Sequence, residues 1–230
     1  MKQITYARIF TLFILLAGCA GSGPDDNDAR PAIGVFGGSI SVRKESETAK
    51  NIWRSNLDVK VISCGVEGAG FSSRTHTENI PAQISNARPF DVYILWASGN
   101  DVVRGNLGFV GASDDNTQDG GIMKSINLAR RKNRNALLLF FTSLPRFDNP
   151  LYRSRMIQFV DDQIEICNRN NIPCLDLFHL CGFDSANYSA YYLPDGIHMN
   201  AEGYRQIGHM QMEFIKESIK KHGISSNNKK

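Results

Sequence analysis

The feature that most constrains the fold is a series of short, nearly continuous apolar runs, each bounded by polar or turn-forming residues. Such runs are typical of strands that are buried on both faces of a parallel sheet, whereas strands with one wet face alternate apolar and polar residues. The runs are AIGVF at 32–36, VKVIS at 59–63, DVYILW at 91–96, ALLLFF at 136–141 and PCLDLF at 173–178. They predict a five-stranded parallel sheet.

Segments with helical character separate or follow these runs. The stretch SINLARRKN closes one helix before the fourth run. Asn149 can cap a second helix, with Pro150 at its first position. A third helix is expected to start after Asn200, where apolar residues recur at helical spacing. This alternation predicts one three-layer, doubly wound α/β domain, with ligands at the carboxyl ends of the strands.

The amino terminus has the pattern of an export signal. Lys2 and Arg8 precede the apolar run IFTLFILL, which is shorter than the roughly 20 residues of a membrane-spanning helix. LAGC, ending at Cys19, resembles a bacterial lipobox, in which the cysteine is lipidated. A plain secretory signal that happens to contain a cysteine is the alternative. We expect residues 1–18 to be a signal peptide and residues 19–31 a tether that holds the protein on the cell envelope.

The rest of the chain has the composition of a folded domain. Of its 230 residues, 42% are apolar and 21% are charged, which is typical of a globular protein. We assign residues 32–223 to this domain and residues 224–230 to a disordered basic tail. Loss of Lys2 and Arg8 with the signal would reduce the net charge from +3 to +1. Because that excess lies in the tail, no nucleic-acid partner is expected.

The cysteines leave two alternatives open. None of Cys64, Cys167, Cys174 and Cys181 forms a C-x-x-C pair, which argues against a zinc site. An exported protein can form disulfides. Buried free thiols are an equal alternative, because cysteine is among the most buried residue types.

Residues that could take part in catalysis follow the predicted strands. Ser39 lies in GGSIS after the first run, Gly68 in CGVEGAG after the second, and Asn100 in ASGND after the third. Asp195 and His198 lie in PDGIH after the last run. Each piece alone is an ordinary turn, and neither a G-x-G-x-x-G fingerprint nor a G-x-S-x-G elbow is present. Because parallel strands end at the same edge, these residues are expected to converge there.

In their order along the chain, these blocks resemble the SGNH, or GDSL-like, hydrolase family. That family is named for a Ser, a Gly, an Asn and a His, one in each of four blocks. The blocks here are VFGGSIS, SCGVEGAG, SGND and DGIHMNAEGY, and the resemblance runs from Ile33 to the last helix. It implies a flavodoxin-like sheet of SGNH hydrolase type and serine-dependent ester hydrolysis without a metal ion or cofactor.

The resemblance also implies a role for each residue of the four blocks. Ser39 would be the nucleophile, His198 its base, and Asp195 the carboxylate that orients the imidazole. The oxyanion would be bound by the backbone N–H groups of Ser39 and Gly68 and by the side-chain amide of Asn100.

This sequence departs from the family pattern at three positions. Gly38 replaces the acid of G-D-S, Ser98 replaces the first Gly of G-x-N-D, and Ser63 stands where the second block often opens with Asn. None of these changes removes a proton-transfer group, so they leave the substrate open rather than the reaction class. Asp101 is expected to be a structural turn residue.

The expected substrate is an ester of an acylated, notably acetylated, carbohydrate. A lipid or thioester acyl substrate is the enzymatic alternative, and a non-catalytic glycan-binding surface lipoprotein is another. The long polar segment at 104–121 is expected to form a wall of the substrate site. Tyr188, Tyr191 and Tyr192 either stack on a sugar or pack the loop that carries them.

Overall fold

The computed structural model describes residues 28–224 and confirms the doubly wound parallel sheet. The sheet order is β2-β1-β3-β4-β5, and each pair of neighbours is parallel. The strands are β1 Ala32–Gly37, β2 Lys60–Ser63, β3 Val92–Trp96, β4 Leu137–Phe141 and β5 Cys174–Leu175. The last strand is shorter than its apolar run, because Asp176 leaves the sheet and caps the next helix by accepting the N–H of His179.

Helices lie between the strands and after them. They are α1 Ser39–Val42, α2 Glu47–Asn56, α3 Ile80–Asn86, α4 Asn100–Arg104, α5 Gln118–Lys132, α6 Pro150–Arg169, α7 Leu177–Leu180 and α8 Ala201–His222, with 3-10 turns at Lys44–Ser46 and Tyr188–Ala190. The predicted cap at Asn149 and the predicted start of the last helix after Asn200 are confirmed. Asn149 accepts the N–H of Leu151 at 2.9 Å, and Asn200 accepts the N–H of Gly203 at 3.0 Å. These bonds satisfy donors that the first helical turn leaves without a partner.

The sheet separates two hydrophobic cores. Along β3, Val92, Ile94 and Trp96 face the core that α2 and α8 cover, whereas Tyr93 and Leu95 face the core covered by α3, α5 and α6. All five residues of this strand are buried. Burial on both faces is the physical reason for the continuous apolar runs in the sequence.

The segment that enters the domain lies beside the start of β2. The N–H of Lys60 donates to the carbonyl of Pro31 at 2.8 Å, and its Nζ donates to the carbonyl of Asp28 at 2.7 Å. Residues 1–27 and 225–230 are outside the described residues, so the expected signal peptide, Cys19 and most of the basic tail are outside them too. Within residues 28–224, no helix has the length and apolar character needed to span a bilayer.

Three of the cysteines, Cys167, Cys174 and Cys181, are free thiols. Cys167 and Cys174 lie together in the core between α6 and β5. The hydrogen bond with the Cys174 thiol, together with burial, raises the pKa of Cys167. A buried thiol with a raised pKa is unreactive, so Cys167 behaves as a small core side chain.

Candidate active site

The structure brings Ser39, His198 and Asp195 into one hydrogen-bonded chain at the carboxyl edge of the sheet. His198 Nε2 lies 2.9 Å from Ser39 Oγ, across 159 positions of sequence. His198 Nδ1 lies 2.7 Å from Asp195 Oδ2. Ser39 is the first residue of α1, directly after β1, whereas the other two residues precede α8. The packing of α8 against the sheet therefore brings Ser39 within hydrogen-bonding distance of His198.

A local turn holds the carboxylate of Asp195 in place. Its Oδ1 accepts the N–H groups of Ile197 and His198, each at 2.9 Å. Burial opposes its ionisation, but the hydrogen bonds from His198 and Ile197 outweigh burial and lower the pKa of Asp195. The carboxylate therefore stays charged and holds a proton on Nδ1 of the imidazole. This leaves the Nε2 lone pair directed at Ser39.

Gly68 and Ser39 provide backbone donors beside this chain. Neither N–H has an acceptor among residues 28–224. Gly68 has φ +76°, in the left-handed region that glycine adopts without strain. The atom nearest to an added Cβ would be His76 Cδ2 at 3.7 Å, so conformation rather than crowding within the protein favours glycine here.

Asn100, the first residue of α4, presents its amide next to the same segment. Its Nδ2 donates to the carbonyl of Ala69 at 2.9 Å and lies 3.2 Å from Ser98 Oγ. The amide nitrogen carries two hydrogens. One is held by Ala69, and the other makes the longer contact with Ser98.

Two departures from the family pattern are complementary in space. A Cβ on Gly38 would lie 2.5 Å from the Ala69 carbonyl oxygen and 3.1 Å from Ser98 Oγ. A side chain at position 38 would therefore collide first with the Ala69 carbonyl, to which the Ser98 hydroxyl donates at 2.8 Å, and would also crowd Ser98. Where the family pattern has an acid in the first block and a glycine in the third, this sequence has Gly38 and Ser98.

Asp101 is structural, but it does not act through a local turn. Its buried carboxylate accepts the N–H groups of Phe71 and Ser72 at 2.8 and 3.2 Å and the hydroxyl of Thr75. Burial raises the pKa of Asp101, although these donors oppose the rise. The carboxylate thus ties α4 to the segment that carries Gly68, a long-range role that the Asx-turn interpretation did not anticipate.

Arg146 is the site residue that sequence reasoning missed. It is 7% exposed and lines the cleft with Ser39 and Asn100. Its guanidinium donates to both carboxylate oxygens of Asp148, from Nε at 2.9 Å and from Nη2 at 2.6 Å. The available signal was its position: it follows β4, and the loops after the other strands also supply site residues.

The cleft beside Ser39 is small. Its volume is about 20 Å³, roughly the space needed for one water molecule. Leu144 and Ile197 are its large apolar lining residues, together with Ile40 at its base. A hollow of about 540 Å³ lies elsewhere, between residues 111–115 and α5, and contains none of the predicted site residues.

The long loop does not line the cleft as expected, and the tyrosines follow the packing alternative rather than the sugar-stacking one. No residue of 105–117 lines the cleft beside Ser39. The loop packs instead on Ser72 and Ser73, whose hydroxyls bond Asn116 at 2.6 and 2.9 Å. Tyr192 is buried and donates to the Pro145 carbonyl at 2.8 Å. Tyr188 and Tyr191 stack on Phe147 and Phe183, with ring centroids 4.7 and 4.6 Å apart, so these aromatics pack their own loop and join it to the loop after β4.

Comparison with known families matches this sequence to one of them. The sequence profile of the GDSL-like lipase/acylhydrolase family matches residues 35–206, which include each of the four blocks. The chain belongs to that family. This GDSL-like protein is therefore an ester hydrolase of the SGNH/GDSL type. No curated protein sequence matches it significantly.

Solved structures show the same fold at low sequence identity. A protein from Lactobacillus plantarum is 20% identical, with a TM-score of 0.69 over 82% of this chain and 97% of that one. A member of the lipolytic G-D-S-L family from Veillonella parvula is 17% identical, with a TM-score of 0.60 over 79% and 96%. A lipase/acylhydrolase from Enterococcus faecalis is 17% identical, with a TM-score of 0.58 over 81% and 96%. Identities this low establish the fold and leave the substrate to be argued from the site.

Within the described residues, no group of three or more His, Cys, Asp and Glu side chains is arranged to hold a metal ion.

Proposed function

We propose that this GDSL-like hydrolase cleaves a short-chain acyl ester, an acetyl ester of a carbohydrate, with Ser39 as nucleophile. The observation that carries the proposal is the chain from Asp195 through His198 to Ser39, at 2.7 and 2.9 Å, which ends in a cleft of about 20 Å³. A binding module needs no such chain, so this arrangement favours an enzyme over the non-catalytic alternative.

Acylation begins with proton transfer from Ser39 to His198 Nε2, while Ser39 Oγ attacks the ester carbonyl carbon. The ionised carboxylate of Asp195 stabilises the imidazolium that forms. The imidazolium then protonates the departing alcohol. Water, deprotonated by the same imidazole, hydrolyses the acyl-enzyme and regenerates Ser39.

The negative charge of the tetrahedral intermediate is received by three donors. These are the backbone N–H groups of Ser39 and Gly68, which have no other acceptor among residues 28–224, and the Asn100 amide. The amide would exchange its 3.2 Å contact with Ser98 for the oxyanion and keep its 2.9 Å bond to Ala69. A donor fixed before the reaction stabilises the developing charge without reorganisation.

The size of the cleft favours an acetyl group. Pockets that hold a drug-sized ligand or a long chain have volumes of roughly 300–1,000 Å³, whereas about 20 Å³ is available beside Ser39. Leu144 and Ile197 give the methyl group of an acetate an apolar contact, and Arg146 gives the alcohol a polar wall. A lipase would need a larger cleft beside Ser39 to hold a long acyl chain.

The test is a chain-length series on the soluble domain, with p-nitrophenyl acetate, butyrate and octanoate, and acetylated oligosaccharides as natural-type substrates. We expect kcat/KM to be highest for the acetate and to fall at least about tenfold by the octanoate. Ser39→Ala is the control and should abolish both turnover and labelling by an active-site phosphonate. Preference for octanoate would support the lipase alternative, and an intact fold without labelling at Ser39 would support the binding module.

A further inference from the structure

The side chain of Arg146 has a hydrogen-bonding end that the protein itself does not use. Nε and Nη2 are both occupied by Asp148. Nη1 makes no hydrogen bond within residues 28–224, although Arg146 is more than nine-tenths buried and lines the cleft with Ser39. Nη1 is not one of the fully buried unpaired atoms of the described residues, so it is accessible from the cleft. The Nη1 donors are therefore free for a group that enters the cleft.

Packing holds this guanidinium in one place. Its stem lies against Gly99, where an added Cβ would be 2.7 Å from Arg146 Cδ and 3.3 Å from Nη1. One face lies over the ring of Tyr152, 5.4 Å from its centroid. The segment that carries Arg146 is also joined to the turn of Asp195, since the N–H of Phe147 donates to the Gly196 carbonyl at 2.8 Å. A donor fixed in this way binds a substrate with little loss of conformational freedom.

The charge balance around Arg146 favours a neutral ligand. Asp148 already compensates the guanidinium through a two-point ion pair. The catalytic carboxylate of Asp195 adds a second negative charge on the neighbouring turn. An anionic substrate group would thus meet one cation and two carboxylates, whereas a neutral oxygen can accept from Nη1 without repulsion.

The ester itself restricts which oxygen that is. The carbonyl oxygen is assigned to Ser39, Gly68 and Asn100, and an acetyl group has no other acceptor. We propose that Nη1 of Arg146 binds a hydroxyl oxygen on the alcohol moiety, so that the enzyme selects esters of polyols or sugars. This inference rests on the proposed function and adds the residue that would recognise the alcohol moiety.

The experiment compares two acetates with the same carbon skeleton, glycerol monoacetate and propyl acetate, which differ only in the hydroxyl groups of the alcohol. Arg146→Gln should lower kcat/KM for glycerol monoacetate about 10- to 100-fold more than for propyl acetate, the loss expected for one charge-assisted hydrogen bond. Arg153→Gln is the matched control. Arg153 lies over the Phe147 ring at 4.9 Å and does not line the cleft, so its loss should not change the ratio.

Gly99→Ala is a second variant that keeps the guanidinium but displaces it, because its Cβ would collide with Arg146. It should lower the ratio of kcat/KM for glycerol monoacetate to kcat/KM for propyl acetate, and it tests the subsite if Arg146→Gln does not fold.

Equal losses of kcat/KM on both acetates would overturn the subsite and leave the esterase function standing. A larger loss of kcat/KM on an acetate whose alcohol carries a carboxylate would overturn the inference that Arg146 binds a neutral group. Failure of the wild type on both acetates, with cleavage of p-nitrophenyl octanoate, would remove the proposed function and the subsite together.

Discussion

At the scale of single residues, the Asn100 amide distinguishes this site from other serine hydrolases, because the triad alone is common to many folds. The amide would donate to charge that is present only in the transition state. Asn100→Ala should therefore lower kcat on p-nitrophenyl acetate by about 10²–10³ and change KM little. Steady-state kinetics on the folded variant would measure both constants.

A matched control for this substitution is Asn106→Ala. Asn106 also carries an amide near the site, but its Nδ2 lies 3.4 Å from the Thr75 hydroxyl and it does not line the cleft. Its loss should change kcat less than about twofold. If Asn100→Ala also lost less than about threefold, the amide would serve only to hold the Ala69 carbonyl.

At the scale of elements, α5 and α6 meet through two carboxyl groups, Asp119 and Asp162. Asp119 is fully buried, and its Oδ2 has no donor among the described residues. Burial, together with the charges of Asp162 and Asp101, raises the pKa of Asp119 to about 7. The folded state therefore binds this proton more tightly than the unfolded state does. The resulting stability is complete below the ordinary pKa of 3.8 and is lost as the pH rises through about 7.

The free energy of unfolding of the wild type should accordingly fall by roughly 2–4 kcal/mol between about pH 4 and pH 8 through this group. Asp119→Asn, which cannot ionise, should have a smaller decrease in urea titrations at the two pH values. Asp161→Asn alters an exposed carboxylate on α6, next to Asp162, and should keep the wild-type decrease. An equal decrease in the free energy of unfolding for the wild type and Asp119→Asn would show that Asp119 is ionised at both pH values.

At the scale of the whole molecule, the chain enters the domain at the edge of the sheet opposite to the site. Pro31 pairs with Lys60 where β1 and β2 begin, whereas Ser39 follows the end of β1. A lipid on Cys19, which the LAGC sequence predicts, would hold the domain at the membrane through the segment that precedes residue 28. Cys19→Ser should release the protein from membranes while esterase activity is retained, as fractionation after a high-salt wash would measure. A variant that still sediments with membranes would contradict the anchor.

The sequence by itself determined the five strands, three of the helices and the order of the blocks. Apolar runs predicted the strands because both faces of a parallel strand are buried, and Asn149 and Asn200 predicted helix starts because a cap bonds to residues only two or three positions away. The chain order of Ser39, Gly68, Asn100 and His198 resembled one family strongly enough to assign roles. Each of these signals lies within a few residues of the feature that it predicts.

Only the tertiary structure decided which distant groups share the same space. It paired Gly38 with Ser98, bound Asp101 to the Phe71 segment, and placed Arg146 with a free donor in the cleft. It also assigned the 105–117 loop to a surface away from that cleft. These contacts join side chains from different loops. Their geometry depends on how strands and helices pack, and no local pattern of residues encodes that packing.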